Sequence, residues 1–288
     1  VTRLLSISAV AYDGHDLPVA LRHIRELGVD RVELAFIKGY SGTFDERVFD
    51  EANARRIRDL LAEAGLSSLA LSAQMDLTED GAVHNFTRRL HFAHTVGARI
   101  VITNAGPPTR RMIFDANMAE LASVAQSLGM IIALENPGDG RASIVNDGAS
   151  GAAVIEEIGS PAVRLNYDFG NVISHFAGQV RPEEDYKPAL PYVAYLHIKD
   201  VQTGDAPERR WFFPAVGAGE ISYAAILADL AIHAPDLPVS IEIPTRVSRA
   251  ADASPRIAAQ LRPLAEVDEM LRESIKYVRE HDCLTKRD

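Results

Sequence analysis

Cysteine is almost missing from this 288-residue chain: Cys283 is the one thiol, which excludes an internal disulfide framework and a thiolate metal cluster. Apolar stretches are short, none approaching the roughly 20 residues that cross a bilayer, so no membrane partner is expected. The opening residues VTRLLSISAVAYDG lack the basic region, long apolar segment and small-residue cleavage site of a secretion signal and read as a first strand. A cytoplasmic location is expected from these absences. Positive charge is also in deficit: 30 Lys and Arg against 40 Asp and Glu leave a net charge of -10, which argues against nucleic acid as a partner. No GxGxxG follows the first strand, and the GAG at Gly217–Gly219 is too short and too late for a dinucleotide site. His84, His91 and His94 lack HExxH spacing and read as surface and packing residues of one helix. No Pro-rich or Ser-rich linker and no low-complexity tract divides the chain.

What the chain does contain is a regular alternation of apolar, β-branched runs with amphipathic stretches. Eight strands are expected, at residues 3–10, 29–36, 66–74, 98–104, 130–135, 163–168, 193–199 and 238–243. Helical patterns such as LPVALRHIRELG, FDEANARRIRDLLAEAG, HNFTRRLHFAHTVG and MAELASVAQSLG lie between them and end in a glycine suited to a left-handed closing turn. A last helix is expected from Ser254-Pro255, as N-cap and first-turn proline, to about Glu280. Eight successive βα units favour an α/β fold, a single (β/α)8 TIM barrel over residues 1–288 in one domain, with an open doubly wound sheet as the alternative.

Four polar residues stand near the C-terminal ends of separate runs: Glu135 in IIALENPGDG, Asp168 in VRLNYDFGN, His197 in VAYLHIKDV and Glu242 in PVSIEIPT. Any one alone is an ordinary strand-end polar group. Together, on strands five to eight and at one relative depth, three carboxylates and an imidazole make an oxygen-rich site for a divalent cation, because buried charge is costly unless paired or metal-bound. The 45-residue interval between His197 and Glu242 carries the extra segment QTGDAPERRWFFPAVGAGE, placed where barrel loops usually grip substrate.

At these residues the chain resembles the xylose-isomerase-like barrel superfamily, which includes ketose 3-epimerases, inosose isomerases and dehydratases, and endonuclease IV. The carriers are ALEN with Glu135, Asp168-Phe169-Gly170-Asn171 as D-x-x-[HN], His197-Ile198-Lys199-Asp200 as H-x-K-D, the GxGEI segment ending in Glu220-Ile221, and Glu242. The resemblance implies that Glu135, Asp168, His197 and Glu242 bind one divalent metal, with Glu135 and Glu242 also serving as acid and base. It departs at Asn171, where many epimerases have a substrate-contacting histidine, so the hydroxyl-binding pattern differs.

Three oxygen donors with one nitrogen suit Mn²⁺, Mg²⁺ or Co²⁺ better than a thiolate-rich zinc site; Mn²⁺ is the expected ion, with Zn²⁺ a further option. A substrate carbonyl and adjacent hydroxyl chelated there would give a stabilised enediolate once one glutamate takes the neighbouring proton. The expected function is that of a metal-dependent isomerase or epimerase acting on a keto-sugar or related polyol. The alternative is a lyase or dehydratase on a 3-keto-sugar, keto-glycoside or inosose. A DNA-repair endonuclease would need further histidine ligands and a basic face, and a non-catalytic sugar-binding barrel would not need Glu135 and Glu242. Asn171, Lys199, Asn104, Trp211 and Phe212 are the candidates for contacting a carbohydrate substrate. Each has a second reading: Lys199 as a salt bridge to Asp200 or another carboxylate, Asn104 as a loop brace, and Trp211, Phe212 and Phe213 as an interface in a homo-oligomer. Glu33 is either a pocket carboxylate or a buried partner for an arginine.

Overall fold

A computed structural model describes residues 3–37 and 45–282; Cys283 lies outside them. Eight parallel strands close into a barrel: β1 (Leu5–Ser8), β2 (Val32–Ala35), β3 (Ala70–Asp76), β4 (Ile100–Asn104), β5 (Ile131–Glu135), β6 (Val163–Asp168), β7 (Val193–Ile198) and, after two short strands, β10 (Val239–Ile241). Every one lies within an expected run, or overlaps it closely, because most are apolar runs buried on both faces. Helices α1 (Leu17–Glu26), α2 (Glu51–Glu63), α3 (Ala82–Val96), α4 (Arg111–Ser127), α5 (Gly148–Ile158), α6 (Phe169–His175), α7 (Pro182–Asp185), α8 (Tyr223–His233) and α9 (Leu264–His281) surround it. The α/β expectation of a (β/α)8 barrel therefore holds, and the open sheet does not.

Local chemistry sets the helix ends. Asp50 accepts from the Asn53 amide at 2.7 Å to start α2, and Asp147 and Ser150 form a reciprocal capping box on α5. Gly97, at φ 99°, ends α3 in the left-handed turn that its position in HTVG predicts.

Most apolar side chains pack between the barrel and its helices. A smaller cluster, Ala70, Ile100, Ile102, Ala133 and Tyr195, packs separately from that main core. These are strand residues of β3, β4, β5 and β7, and they mix two alanines with larger side chains, as the filled interior of an eight-stranded barrel requires.

Two expectations at the C-terminal side are corrected. Residues 202–220 are not wholly loop, and the last helix does not begin at Ser254-Pro255. Instead β8 (Gln202–Thr203), β9 (Trp211–Phe212), β11 (Val247–Arg249) and β12 (Pro255–Ile257) form a small antiparallel sheet in the order β12-β11-β9-β8. A helix running through residue 263 would carry Pro263 in its interior, where the ring removes a hydrogen bond and clashes with the preceding turn; α9 begins just after it. Pro255 instead lies opposite Arg249 in a strand pair at the edge of the sheet.

The segment linking this sheet to α8 is gathered by Asp200. Its Oδ1 accepts from the amides of Val201 (2.9 Å) and Ile221 (3.2 Å), and its Oδ2 from those of Gly217 (2.9 Å) and Gly219 (3.0 Å). A Cβ on Gly219 would fall 2.2 Å from Asp200 Oδ1, so the GAG segment brings backbone onto a carboxylate, not onto a nucleotide. Asp200→Asn replaces part of this acceptor with an amide donor facing the same N–H groups. The expected loss is about 2–3 kcal/mol, read as a lower denaturation midpoint in urea; an unchanged midpoint would show that the clasp contributes nothing.

Candidate metal centre

Strands β10, β7, β6 and β5 are consecutive neighbours in the barrel, so their C-terminal ends meet. Glu135 ends β5, Asp168 ends β6, His197 is the penultimate residue of β7, and Glu242 directly follows β10. Asp168 and His197 are register partners across β6 and β7. The four side chains are buried, and one ligand atom from each lies within 4.8 Å of the others.

His197 is held at both nitrogens. Nε2 lies 2.8 Å from Glu33 Oε2, while Nδ1 faces the cluster, 2.7 Å from Glu135 Oε1, 3.6 Å from Glu242 Oε2 and 3.8 Å from Asp168 Oδ2. Glu33 in turn accepts from the hydroxyls of Ser8 (3.1 Å) and Ser72 (3.0 Å). Glu33 is therefore a partner for a histidine, not for an arginine, and it directs the ring's other nitrogen towards the carboxylates, as a second carboxylate commonly does behind a metal-binding imidazole.

Asp168 serves two structures at once. Its Oδ1 accepts from the amides of Gly170 (2.9 Å) and Asn171 (3.0 Å) and so caps α6, which leaves Oδ2 on the cluster side. Gly170 permits this turn: a Cβ there would meet the Lys199 carbonyl at 2.5 Å. Asn136 locks the strand end through its own amide, donating to the Asp168 carbonyl at 3.0 Å and accepting from the Asp168 N–H at 2.9 Å. Glu135 accepts from Asn166 Nδ2 at 2.9 Å and from Gln74.

Lys199 supplies a cation beside these groups, with Nζ 2.5 Å from Asp168 Oδ2 and 2.7 Å from Glu242 Oε2 and 5.5 Å from the Phe213 ring centroid. Its ion pair is thus with two of the expected ligands; Asp200 is engaged by backbone amides. Burial pushes Glu135 up to about 7 against the pull of His197. Burial acts on Asp168 in the same direction, but the Lys199 ammonium and His197 hold it below the usual carboxylate range. Burial disfavours the charged imidazole of His197, yet the carboxylates of Glu33, Glu242 and Glu135 raise its pKa well above 6.5.

Three carboxylates and one imidazole nitrogen, buried and mutually close, fit a divalent cation: the donor set is mainly hard oxygen, and positive charge is what it needs. Glu135, Lys199 and Glu242 open onto a cavity of about 470 Å³ that Asn104 and Asn171 also line. Asn171 Nδ2 donates to the Asn136 carbonyl at 3.0 Å, while its Oδ1 is buried without a hydrogen-bond partner. Trp211 and Phe212 lie in β9 and outside the cavity lining, with arginine side chains stacked on them; Phe213 is the aromatic that reaches Lys199. His84, His91 and His94 are exposed on α3.

Sequence reading passed over Gln74, Asn136, Asn166 and the cavity residue Arg249. Asn166 carried a signal, since it precedes Asp168 by two and shares its face of the strand. Asn136 did as well, adjoining Glu135 in ALEN. Gln74 and Arg249 become neighbours of the site only through long-range packing.

A proton on His197 Nδ1 or on Glu135 competes with a cation for the same atoms. Both groups are raised, so metal affinity is weakest at acid pH and climbs as pH rises, by about tenfold per unit for each proton released. Calorimetric titration with Mn²⁺ at several pH values, in buffers of differing ionisation heat, measures this; pH-independent affinity without proton release would contradict it. Lys199→Met removes the competing ammonium, and Mn²⁺ affinity should rise by about tenfold or more while the metal-free protein loses stability. Weaker Mn²⁺ binding in that variant would instead assign Lys199 a supporting role in holding the ion.

Solved structures match over nearly the whole length. An L-ribulose 3-epimerase aligns at 16% identity and TM-score 0.72, covering 100% of this chain and 96% of that one. A probable 3-DHS dehydratase involved in petrobactin synthesis from Bacillus anthracis aligns at 14% identity and TM-score 0.69, covering 99% and 100%. A xylose isomerase-like TIM barrel protein from Mycobacterium smegmatis, in complex with magnesium, aligns at 18% identity and TM-score 0.70, covering 96% and 98%. At such identities the likeness is one of fold. No curated protein matches the sequence significantly. The xylose isomerase-like TIM barrel family model matches residues 21–280, and the chain belongs to that family.

Proposed function

We propose that the protein is a divalent-metal-dependent isomerase or epimerase of a keto-sugar or related polyol, with proton transfer shared between Glu135 and Glu242. The observation that carries this reading is the placement of these two carboxylates at the two ends of a four-strand arc, with Asp168 and His197 between them. A substrate held over the centre would present its reacting carbon between two groups able to exchange protons. Among the described residues these four form the one grouping of its kind, which supports a single ion; we assign Mn²⁺ on the hard, mixed oxygen and nitrogen donor set.

When bound, the ion would supply Lewis-acid polarisation of a substrate carbonyl and lower the pKa of the adjacent C–H. The chain supplies the rest. Glu242, beside Lys199, removes the proton, and Glu135, at the other end of the arc, returns one. The roles exchange in the reverse direction. Asn104 and Asn171, both on the cavity wall, offer amide groups to substrate hydroxyls, and Lys199 keeps Asp168 and Glu242 ordered.

Proton NMR of a keto-sugar panel in D₂O, with metal added and then chelated before recording, tests the reading. Deuterium should enter at a carbon next to the carbonyl, and the product should be a stereoisomer or the aldose. Loss of a β-oxygen substituent in place of isomer formation would favour the lyase alternative, and no exchange with any ketose would refute both. Glu242→Gln should keep metal through its amide oxygen while proton exchange falls by about 10²-fold or more. Exchange at the unmodified rate in that variant would remove Glu242 as the base.

A further inference from the structure

Three arginines are buried among the described residues: Arg3, Arg89 and Arg249. Two have carboxylate partners, Arg3 with Asp282 at 3.2 Å and Arg89 with Glu46. Arg249 has none. It is 7% exposed, it lines the same cavity as Glu135, Lys199 and Glu242, and its Nε is buried without a hydrogen-bond partner. Of the carboxylates on that wall, Asp139 lies 3.5 Å from Arg141 and Glu242 pairs with Lys199. A guanidinium taken out of water without a counter-charge is costly, and the cost is met when a partner arrives.

The fold holds this side chain in place. Arg249 ends β11, with Trp211 of β9 on one side and Pro255 of β12 on the other, and its carbonyl accepts from the Arg210 amide at 2.8 Å. Its Nη1 donates to the Ala253 carbonyl at 3.1 Å. Ala253 adopts φ 63°, a left-handed conformation that costs a non-glycine residue about 1 kcal/mol, so the turn that presents this carbonyl is maintained against local preference. With Nη1 occupied, the edge bearing Nε is the one left without a hydrogen bond.

We propose that Arg249 binds a carboxylate of the substrate, so that the site takes a keto-sugar acid in preference to a neutral sugar. The proposal rests on the metal-dependent keto-sugar reading for the reacting end of the molecule; Arg249 recognises the other end. One guanidinium edge offers two parallel donors, which match a planar carboxylate. A phosphate dianion would call on further cations, and Lys199 and Arg141 on this wall are already paired.

Calorimetry on the Mn²⁺-loaded full chain with 5-keto-D-gluconate and 2-keto-D-gluconate, D-fructose, and D-fructose 6-phosphate tests this by binding alone. At least one keto-acid should bind about tenfold or more tighter than D-fructose. Arg249→Met should abolish that advantage while leaving affinity for Mn²⁺ and D-fructose unchanged, and Arg249→Lys should restore part of it. Equal affinity for acid and neutral sugars, no binding of either acid, or an advantage that survives in Arg249→Met overturns the proposal. Tighter binding of the phosphate ester than of both acids overturns the assignment to carboxylate. A parallel fall in D-fructose affinity in Arg249→Met reveals a structural role and overturns it too. Because none of these readings needs turnover, failure of deuterium exchange would defeat the proposed reaction and leave this inference standing.

Discussion

Glu135, Asp168, Glu242 and His197 are buried together at one end of the barrel, and that crowding of negative charge is the constraint to which the surrounding structure responds. Glu33 sits on the far side of the imidazole and fixes which nitrogen faces the carboxylates. Ser8 and Ser72, on the strands neighbouring that of Glu33, supply it with hydroxyl donors. Lys199 reaches across from β7 to neutralise Asp168 and Glu242, and Phe213 packs against its ammonium. Asp168 divides its two oxygens between a helix N-terminus and the cluster. Each arrangement is explicable as the cost of buried charge being offset by geometry.

The same constraint made much of the site legible. An ionised residue at the end of an apolar run is conspicuous, and four at corresponding depth on successive runs point to one place in a parallel barrel. The strands were equally readable, since β-branched segments buried on both faces carry no competing pattern. What escaped detection was chemistry assembled by distant pairing. The small sheet of β8, β9, β11 and β12 consists of strands of two or three residues, too short to show a period, and its partners come from either side of β10. Ser254-Pro255 offers a good local helix start, and only Pro263 and the pairing with β11 decide otherwise. Arg249 inherits that difficulty: its place on the cavity wall depends on the sheet.

A division of labour follows from this topology. The barrel carries the four candidate ligands at strand ends, which holds their spacing, while the added sheet brings Arg249 to the same cavity. On the proposed reading, variation in the sheet would change what is recognised without disturbing the ligands, in keeping with the way barrel loops adapt one scaffold to many substrates. The chain belongs to the xylose isomerase-like TIM barrel family, and the solved structures share its fold.

All of this depends on a cation occupying the cluster. Crystals grown with Mn²⁺ and recorded at the manganese absorption edge would measure that directly. One anomalous peak per chain is predicted, about 2.0–2.3 Å from oxygens of Glu135, Asp168 and Glu242 and from Nδ1 of His197. No peak at the cluster, or a peak with His197 Nδ1 turned away from it, would contradict the account.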